Sequence, residues 1–276
     1  MRSAAPTFVV MEPGELVIPG YEAVALLAHG RRLDTYDAWD LDREARVVVK
    51  VLREDRLDDP RVVEAVLQEG RLVTTLAHPH LVRGFAAYSD PRPALVLEML
   101  TGATLAALVE DGPLSPTDAA QLGLQLTSVL GYLHRRDWLH LDVKAANVVV
   151  ERGRAVLIDL SLAGRPGTGR RGAGTRGYLA PEQALGEGLS AATDVWGLGV
   201  TLLEALTGEL PFGDEATWVS RRRIPLVHRR LPRSPAGTVP PGMPTDLTTA
   251  LRAAVALEPG DRPTLGELRA VFEKLV

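Results

Sequence analysis

Between His140 and Asn147 the chain reads His-Leu-Asp-Val-Lys-Ala-Ala-Asn, and Asp159 follows twelve residues after Asn147. One short segment therefore supplies an acid, a lysine and an amide. Two β-rich runs, 147–150 and 155–158, are joined by a polar turn containing Gly153 and return a second acid beside them. Asn147 and Asp159 offer two oxygen ligands, a set suited to a hard ion such as Mg²⁺ that keeps waters and shares phosphate oxygens. Asp142 is then left to orient, or take a proton from, an attacking hydroxyl. Lys144 can neutralise charge on a phosphoryl group in transit.

Composition singles out the same residues. Of the 31 basic residues only Lys50, Lys144 and Lys274 are lysine, and Asn147 is the sole asparagine. A chain that uses arginine almost everywhere keeps lysine where a compact ammonium is needed and a planar fork fails. There is no cysteine, which excludes disulfides, cysteine-ligated metals and thiol nucleophiles. A net charge of −4 gives no support for a nucleic-acid partner. No apolar run approaches the ~18 residues of a membrane helix, and residues 1–10 do not read as a secretory signal. The expectation is a cytoplasmic protein without a membrane span. His78-Pro79-His80 lacks a following carboxylate at ligand spacing and is not read as a metal site.

These residues need a scaffold. Residues 1–18 read as a leader with an apolar patch at Phe8, Val9 and Val10. Short apolar or β-branched runs at 21–27, 35–40, 46–52, 85–88 and 94–100 predict strands. Apolar residues in three- and four-residue steps predict a helix over 60–76. After Gly102 the pattern turns helical. Ser115 is a good N-cap with Pro116 at the first helical position, and Asp118 adds a first-turn acid. Further helices are predicted over 193–207, 244–257 and 264–275, with a proline-rich connection at 220–244.

From about residue 20 onward the chain resembles the bacterial serine/threonine protein kinases of eukaryotic type. His140-Leu141-Asp142 through Asn147 matches their catalytic loop, and Lys144 marks the Ser/Thr subtype. Val47-Val48-Val49-Lys50 matches the strand whose lysine holds the α- and β-phosphates, and Glu69 sits where the family places its ion-pair partner. Asp159-Leu160-Ser161 occupies the metal-binding triplet, Ala180-Pro181-Glu182 closes the activation segment, and the Asp194-Val195-Trp196-Gly197 run resembles the helix beneath the catalytic loop. Asp261-Arg262-Pro263 fits the segment whose arginine pairs with Glu182. The resemblance implies an α+β, two-lobed fold: a small antiparallel sheet with one helix over 19–100, and a mainly helical lobe over 101–276. It implies Mg²⁺-ATP as cofactor and a protein Ser or Thr hydroxyl as acceptor. Asp142 and Lys144 would be catalytic, and Asn147 and Asp159 would hold the metal. Lys50, Glu69, Ala28, Gly30, Val48, Glu98 and Leu100 would bind ATP, with Leu97 at the back of the adenine pocket.

Three departures qualify the resemblance. The loop that covers the phosphates carries three glycines in the family, but here Ala28 and Leu33 leave only Gly30. Ser161 stands where glycine is usual and restricts a backbone flip. Leu141 replaces an arginine whose role is to grip a phosphorylated activation segment, which implies activity without loop phosphorylation, or control by a separate regulatory protein. Thr175 is expected to position Asp142 and Lys144, leaving Thr168 as the free acceptor in the loop. The altered glycine loop keeps a second reading open, a pseudokinase acting as a nucleotide-binding interaction module. A small-molecule phosphotransferase is disfavoured by Ala180-Pro181-Glu182.

Overall fold

The computed structural model of the chain describes residues 11–212 and 242–276. The apolar patch at Phe8–Val10 and most of the proline-rich connection therefore lie outside the described residues. The chain divides into two compact units, residues 1–78 with 82–101 and residues 79–81 with 102–276.

The first unit is a six-stranded antiparallel sheet with one long helix. Its strands are β1 (Leu16–Ile18), β2 (Tyr21–His29), β3 (Leu33–Asp40), β4 (Ala45–Leu52), β5 (Gly84–Tyr88) and β6 (Ala94–Glu98), in the order β1-β2-β3-β4-β6-β5. Strand period sorts β4 cleanly: Val47, Val49 and Val51 enter the core, while Val48 and Lys50 share the other face. Helix α1 (Pro60–Thr75) starts at Asp59, whose side chain accepts from the Arg61 N–H, with Pro60 at the first helical position. Gly70 lets α1 approach the sheet, since a Cβ there would lie 2.8 Å from the Ala87 methyl and 2.9 Å from Leu95. The end of the expected leader is not a leader in structure. Leu16–Ile18 pairs with β2 and buries Val17 and Ile18 in the sheet core, because two adjacent β-branched residues fit a half-buried edge strand.

The second unit is mainly helical. It contains β7 (Ala103–Thr104), α2 (Leu105–Glu110), α3 (Pro116–His134), β8 (Val148–Glu151), β9 (Arg154–Leu157), α4 (Pro181–Leu185), α5 (Ala191–Thr207), α6 (Thr245–Ala254) and α7 (Leu265–Phe272). Ser115 caps α3 by accepting from the Asp118 N–H at 3.1 Å. Helix α5 is the axis of the core, with most side chains from Thr193 to Leu206 buried. Gly123 on α3 faces the Phe272 ring, which a Cβ would meet at 2.6 Å, so α3 and α7 pack closely. β8 and β9 form a tight hairpin in which Arg152 and Gly153 both take positive φ, 51° and 80°, the backbone that a two-residue loop with matching twist requires. β7, α2 and α4 are not predicted from the sequence; each has six residues or fewer, too short to show a period. Among the described residues no helix is long and apolar enough to cross a membrane.

Candidate active site

The β8–β9 hairpin sets the geometry of the second unit's polar centre. Val148 pairs with Leu157, and the Ile158 N–H donates to the Asn147 carbonyl at 2.8 Å, so Asn147 and Asp159 flank the open end of the hairpin. Just upstream, the Asp142 carboxylate is only 7% exposed and surrounded by donors. Its Oδ2 accepts from Lys144 Nζ at 2.7 Å and from Asn147 Nδ2 at 2.9 Å, and its Oδ1 accepts from the Thr175 hydroxyl at 2.7 Å. Lys144 Nζ also donates to Thr175 Oγ1 at 2.6 Å. Three side chains thus fix one carboxylate, and a fixed carboxylate can hold a hydroxyl in one orientation.

The backbone beneath it is strained and clamped. Leu141 adopts φ 63° and Asp159 φ 68°, a left-handed conformation that costs on the order of 1–2 kcal/mol for such residues. Asp194, in the first turn of α5, offsets this by accepting from the His140 N–H at 2.9 Å and the Leu141 N–H at 2.8 Å, with His134 Nε2 at 2.8 Å. On the other side of the peptide, Gln183 Nε2 donates to the Leu141 carbonyl at 2.6 Å. Tyr178, which follows Thr175, donates its hydroxyl to Glu204 on α5; burial pushes both groups toward their protonated forms.

His140 is fully buried, and burial lowers its pKa below the ordinary 6.5 despite the nearby carboxylates of Asp194, Asp142 and Asp159. Its Nδ1 accepts from the Asp142 N–H and its Nε2 faces the Ile158 carbonyl, both at 3.3 Å, so the neutral ring with hydrogen on Nε2 satisfies both. Below pH 6.5 the unfolded chain takes up a proton that the folded state refuses, so stability is lost as pH falls. Between about pH 7.5 and about pH 5.5 the thermal midpoint is expected to drop, and to drop less in His140→Gln. Equal drops in both proteins would refute this role for His140.

In the first unit Lys50 Nζ donates to Glu69 Oε1 at 3.0 Å, with Glu69 2% exposed. The close approach allowed by Gly70 brings α1 near enough for that contact. Val48 lies on the same face of β4 as Lys50 and is half-buried. The loop between β2 and β3 is a hairpin rather than an open glycine loop. The Gly30 N–H is already committed to the Leu33 carbonyl at 2.9 Å, and Ala28 is exposed opposite Thr35. Arg53 draws this loop down: its backbone N–H donates to the Arg32 carbonyl, and its guanidinium donates to the Gly30 carbonyl at 3.0 Å and also meets the His29 ring. The expected strand over 94–100 ends at Glu98, whose N–H donates to the Arg83 carbonyl and whose Oε1 accepts from the Arg83 N–H. Leu100 beyond it is half-buried and outside the strand, and Leu97 is buried.

The donor chemistry fits a divalent ion brought in by substrate. Asn147 Nδ2 gives both hydrogens to Asp142, to its backbone oxygen and to Oδ2. Its Oδ1 meets no donor among the described residues and is not an orphaned buried atom, so it can serve as a ligand, and the Asp159 carboxylate supplies a second oxygen donor. No cluster of three His, Cys, Asp or Glu side chains among the described residues could cage an ion alone. A pair of oxygens that relies on waters and phosphate for the remaining positions suits Mg²⁺. Ser161 is not among the residues with positive φ, and its N–H donates to Asp159 Oδ1 at 3.2 Å, so serine fits this backbone without strain.

The closing contact of the site is Arg262, whose Nη1 and Nη2 donate to the two Glu182 oxygens at 2.6 and 2.9 Å. A family profile described as "Protein kinase domain" matches residues 21–271. The chain belongs to the protein kinase domain family. This kinase domain is similar to the serine/threonine-protein kinase PknB of Mycobacterium leprae (strain TN), with 32% identity covering 91% of the chain and 42% of that protein. It is similar to the serine/threonine-protein kinase PkaA of Streptomyces coelicolor, at 33% identity over 80% of the chain and 41% of the relative. Similarity to the serine/threonine-protein kinase PrkC of Bacillus subtilis (strain 168) is 26% identity over 90% of the chain and 39% of the relative. The chain spans less than half the length of these relatives. The antiparallel sheet with one helix and the mainly helical unit are the two lobes of the kinase fold.

Lys50 with Glu69, and Asp142 with Lys144, Asn147 and Thr175, are each brought together as the sequence implies. Gln183, His134 and the Arg53 staple are not seen in the sequence, since nothing marks a glutamine, histidine or arginine whose partner is a distant backbone carbonyl or carboxylate.

Proposed function

We propose that this kinase domain transfers the ATP γ-phosphate to Ser or Thr hydroxyls of proteins, without needing phosphorylation of its own activation segment. The reading rests chiefly on the Asp142 carboxylate, held by Lys144, Asn147 and Thr175 with its charge directed at one place. In this reading Lys50, steadied by Glu69, takes the α- and β-phosphates. Val48 packs on adenine, the main chain at 98–100 bonds its edge, and Ala28 and Gly30 cover the phosphates. Asn147 and Asp159 hold Mg²⁺, which supplies charge neutralisation on the phosphoryl oxygens when bound. Asp142 orients the acceptor hydroxyl and takes its proton, while Lys144 stabilises charge on the transferring group. ATP as donor places the reaction in the cytoplasm.

A second reading, a nucleotide-binding interaction module, is favoured by one observation. The Gly30 N–H is spent on Leu33, and side chains crowd a loop that usually offers bare backbone. The test is incubation with Mg²⁺, γ-labelled ATP and generic acceptor proteins, beside Lys50→Met and Asp142→Asn. Label on Ser or Thr in the parent and on nothing in Lys50→Met is the expected result. No transfer, with nucleotide binding that Lys50→Met removes, would replace the kinase reading with the interaction module.

A further inference from the structure

The stretch 165–176 carries four arginines, Arg165, Arg170, Arg171 and Arg176. Residues 167–173 of it are nevertheless held down by backbone bonds. Gly167 exchanges both backbone hydrogen bonds with Leu189, and the Gly169 N–H donates to the Gly186 carbonyl at 2.9 Å. Arg165 is turned away, its Nη1 donating to the Arg136 and Asp137 carbonyls and its guanidinium stacked on Trp138 at 4.0 Å.

Gln183 is the side chain that reaches both partners. It is 6% exposed. Its Nε2 donates to Leu141 O on the catalytic loop at 2.6 Å and to Ala173 O on the activation segment at 2.8 Å. The Gln183 backbone carbonyl accepts from the Gly172 N–H at 3.3 Å. Gly174, with φ 146°, fits against it, because a Cβ there would lie 2.9 Å from Nε2. Two residues beyond Ala173, Thr175 makes its contacts with Asp142 and Lys144.

The geometry points to Gln183 as a positioning residue, a permanent amide tie that holds the activation segment on the catalytic loop so that Thr175 reaches Asp142. This deepens, and rests on, the kinase reading above. An amide carries no charge and needs no modification, so the tie is present in the unphosphorylated chain. Thr168 lies between Gly167 and Gly169, whose backbones are already paired without a phosphate. Loss of the amide leaves the carbonyls of Leu141 and Ala173 without this donor, and Leu141 is the residue already in the left-handed region.

The test uses the full chain and three variants: Gln183→Glu, which keeps the shape and removes both donated hydrogens, Gln183→Met, and Thr168→Ala. Two quantities are measured, backbone hydrogen exchange without nucleotide and steady-state transfer to a Ser/Thr peptide. Both Gln183 variants should exchange faster over 170–178 while α3 and α5 keep the parent's protection. Their kcat should fall roughly 10²-fold, the cost of misplacing a catalytic group by about 1 Å, with KM for ATP unchanged. Thr168→Ala should match the parent in both measurements. Unchanged exchange over 170–178, loosening spread across α3 and α5, or loss of activity in Thr168→Ala would each overturn the assignment. If the parent transfers no phosphate, the kinase reading fails by itself, and local exchange still decides whether Gln183 is the tie.

Discussion

Asp142→Asn is expected to lower kcat for peptide phosphorylation by a factor of about 10²–10⁴, the range for a positioned acid or base, while ATP binding stays near the parent value. Asparagine keeps the shape of the side chain but replaces one of its oxygens with an N–H donor. Oδ1 faces the Thr175 hydroxyl, and Oδ2 faces both Lys144 Nζ and Asn147 Nδ2, so an amide nitrogen at Oδ2 sets donor against donor and one at Oδ1 forces the Thr175 hydroxyl to turn round and accept. The charge that holds the Lys144 ammonium also disappears. Lys50 and Glu69 lie on other elements, which is why nucleotide affinity should survive. Steady-state kinetics beside equilibrium ATP binding separates the two. A variant that keeps its kcat would remove Asp142 from the chemistry and strip the kinase reading of its main support.

Arg262→Met should destabilise the chain by about 3–5 kcal/mol, as expected when one member of a buried ion pair is removed. The Arg262 side chain is 0% exposed and satisfies far more than Glu182. Its Nε donates to the Ala256 carbonyl at 2.8 Å, and its terminal nitrogens donate to the Ala192 and Leu257 carbonyls at 2.8 and 3.1 Å. The guanidinium also lies 5.0 Å from the Trp196 ring centre. One planar group therefore joins α4, the start of α5 and the turn after α6, a task that lysine's single ammonium cannot fill. Chemical denaturation measures the loss. Since much of the penalty comes from a carboxylate left buried without a partner, the double change Arg262→Met with Glu182→Met should cost less than Arg262→Met alone. A double variant weaker than the single would contradict this account.

The parts of the site legible in the sequence are those whose partners lie close in sequence or whose residue type is rare. Lys50, Lys144 and Asn147 stand out because the chain otherwise avoids lysine and asparagine, and the strand alternation around Lys50 and the helical steps around Glu69 place both on regular elements. The Asp142–Asn147 contact spans five residues, within the reach of one loop. Gln183 lies 42 residues from the Leu141 carbonyl it holds, and such a bond leaves no trace in local pattern. Strand β1 was hidden for another reason, since three residues cannot show an alternation and Pro19-Gly20 reads as the opening of structure rather than as a turn inside it. The hairpin at Gly30 was hidden by the resemblance itself. Seen as a damaged phosphate loop, the segment gave no hint that Arg53 and Leu33 would close it into a paired turn.

The Glu182–Arg262 pair also has a consequence in time. The two residues are 80 positions apart, and synthesis at about 5–20 residues per second makes the second roughly 4–16 s after the first. Throughout that interval the ribosome has already delivered the catalytic loop and the whole activation segment, yet the carboxylate that must be buried to dock α4 has no counter-ion. Docking is therefore unfavourable until Arg262 emerges. A nascent chain thus carries the Asp142 loop and the activation segment before the residue that secures α4 has been made.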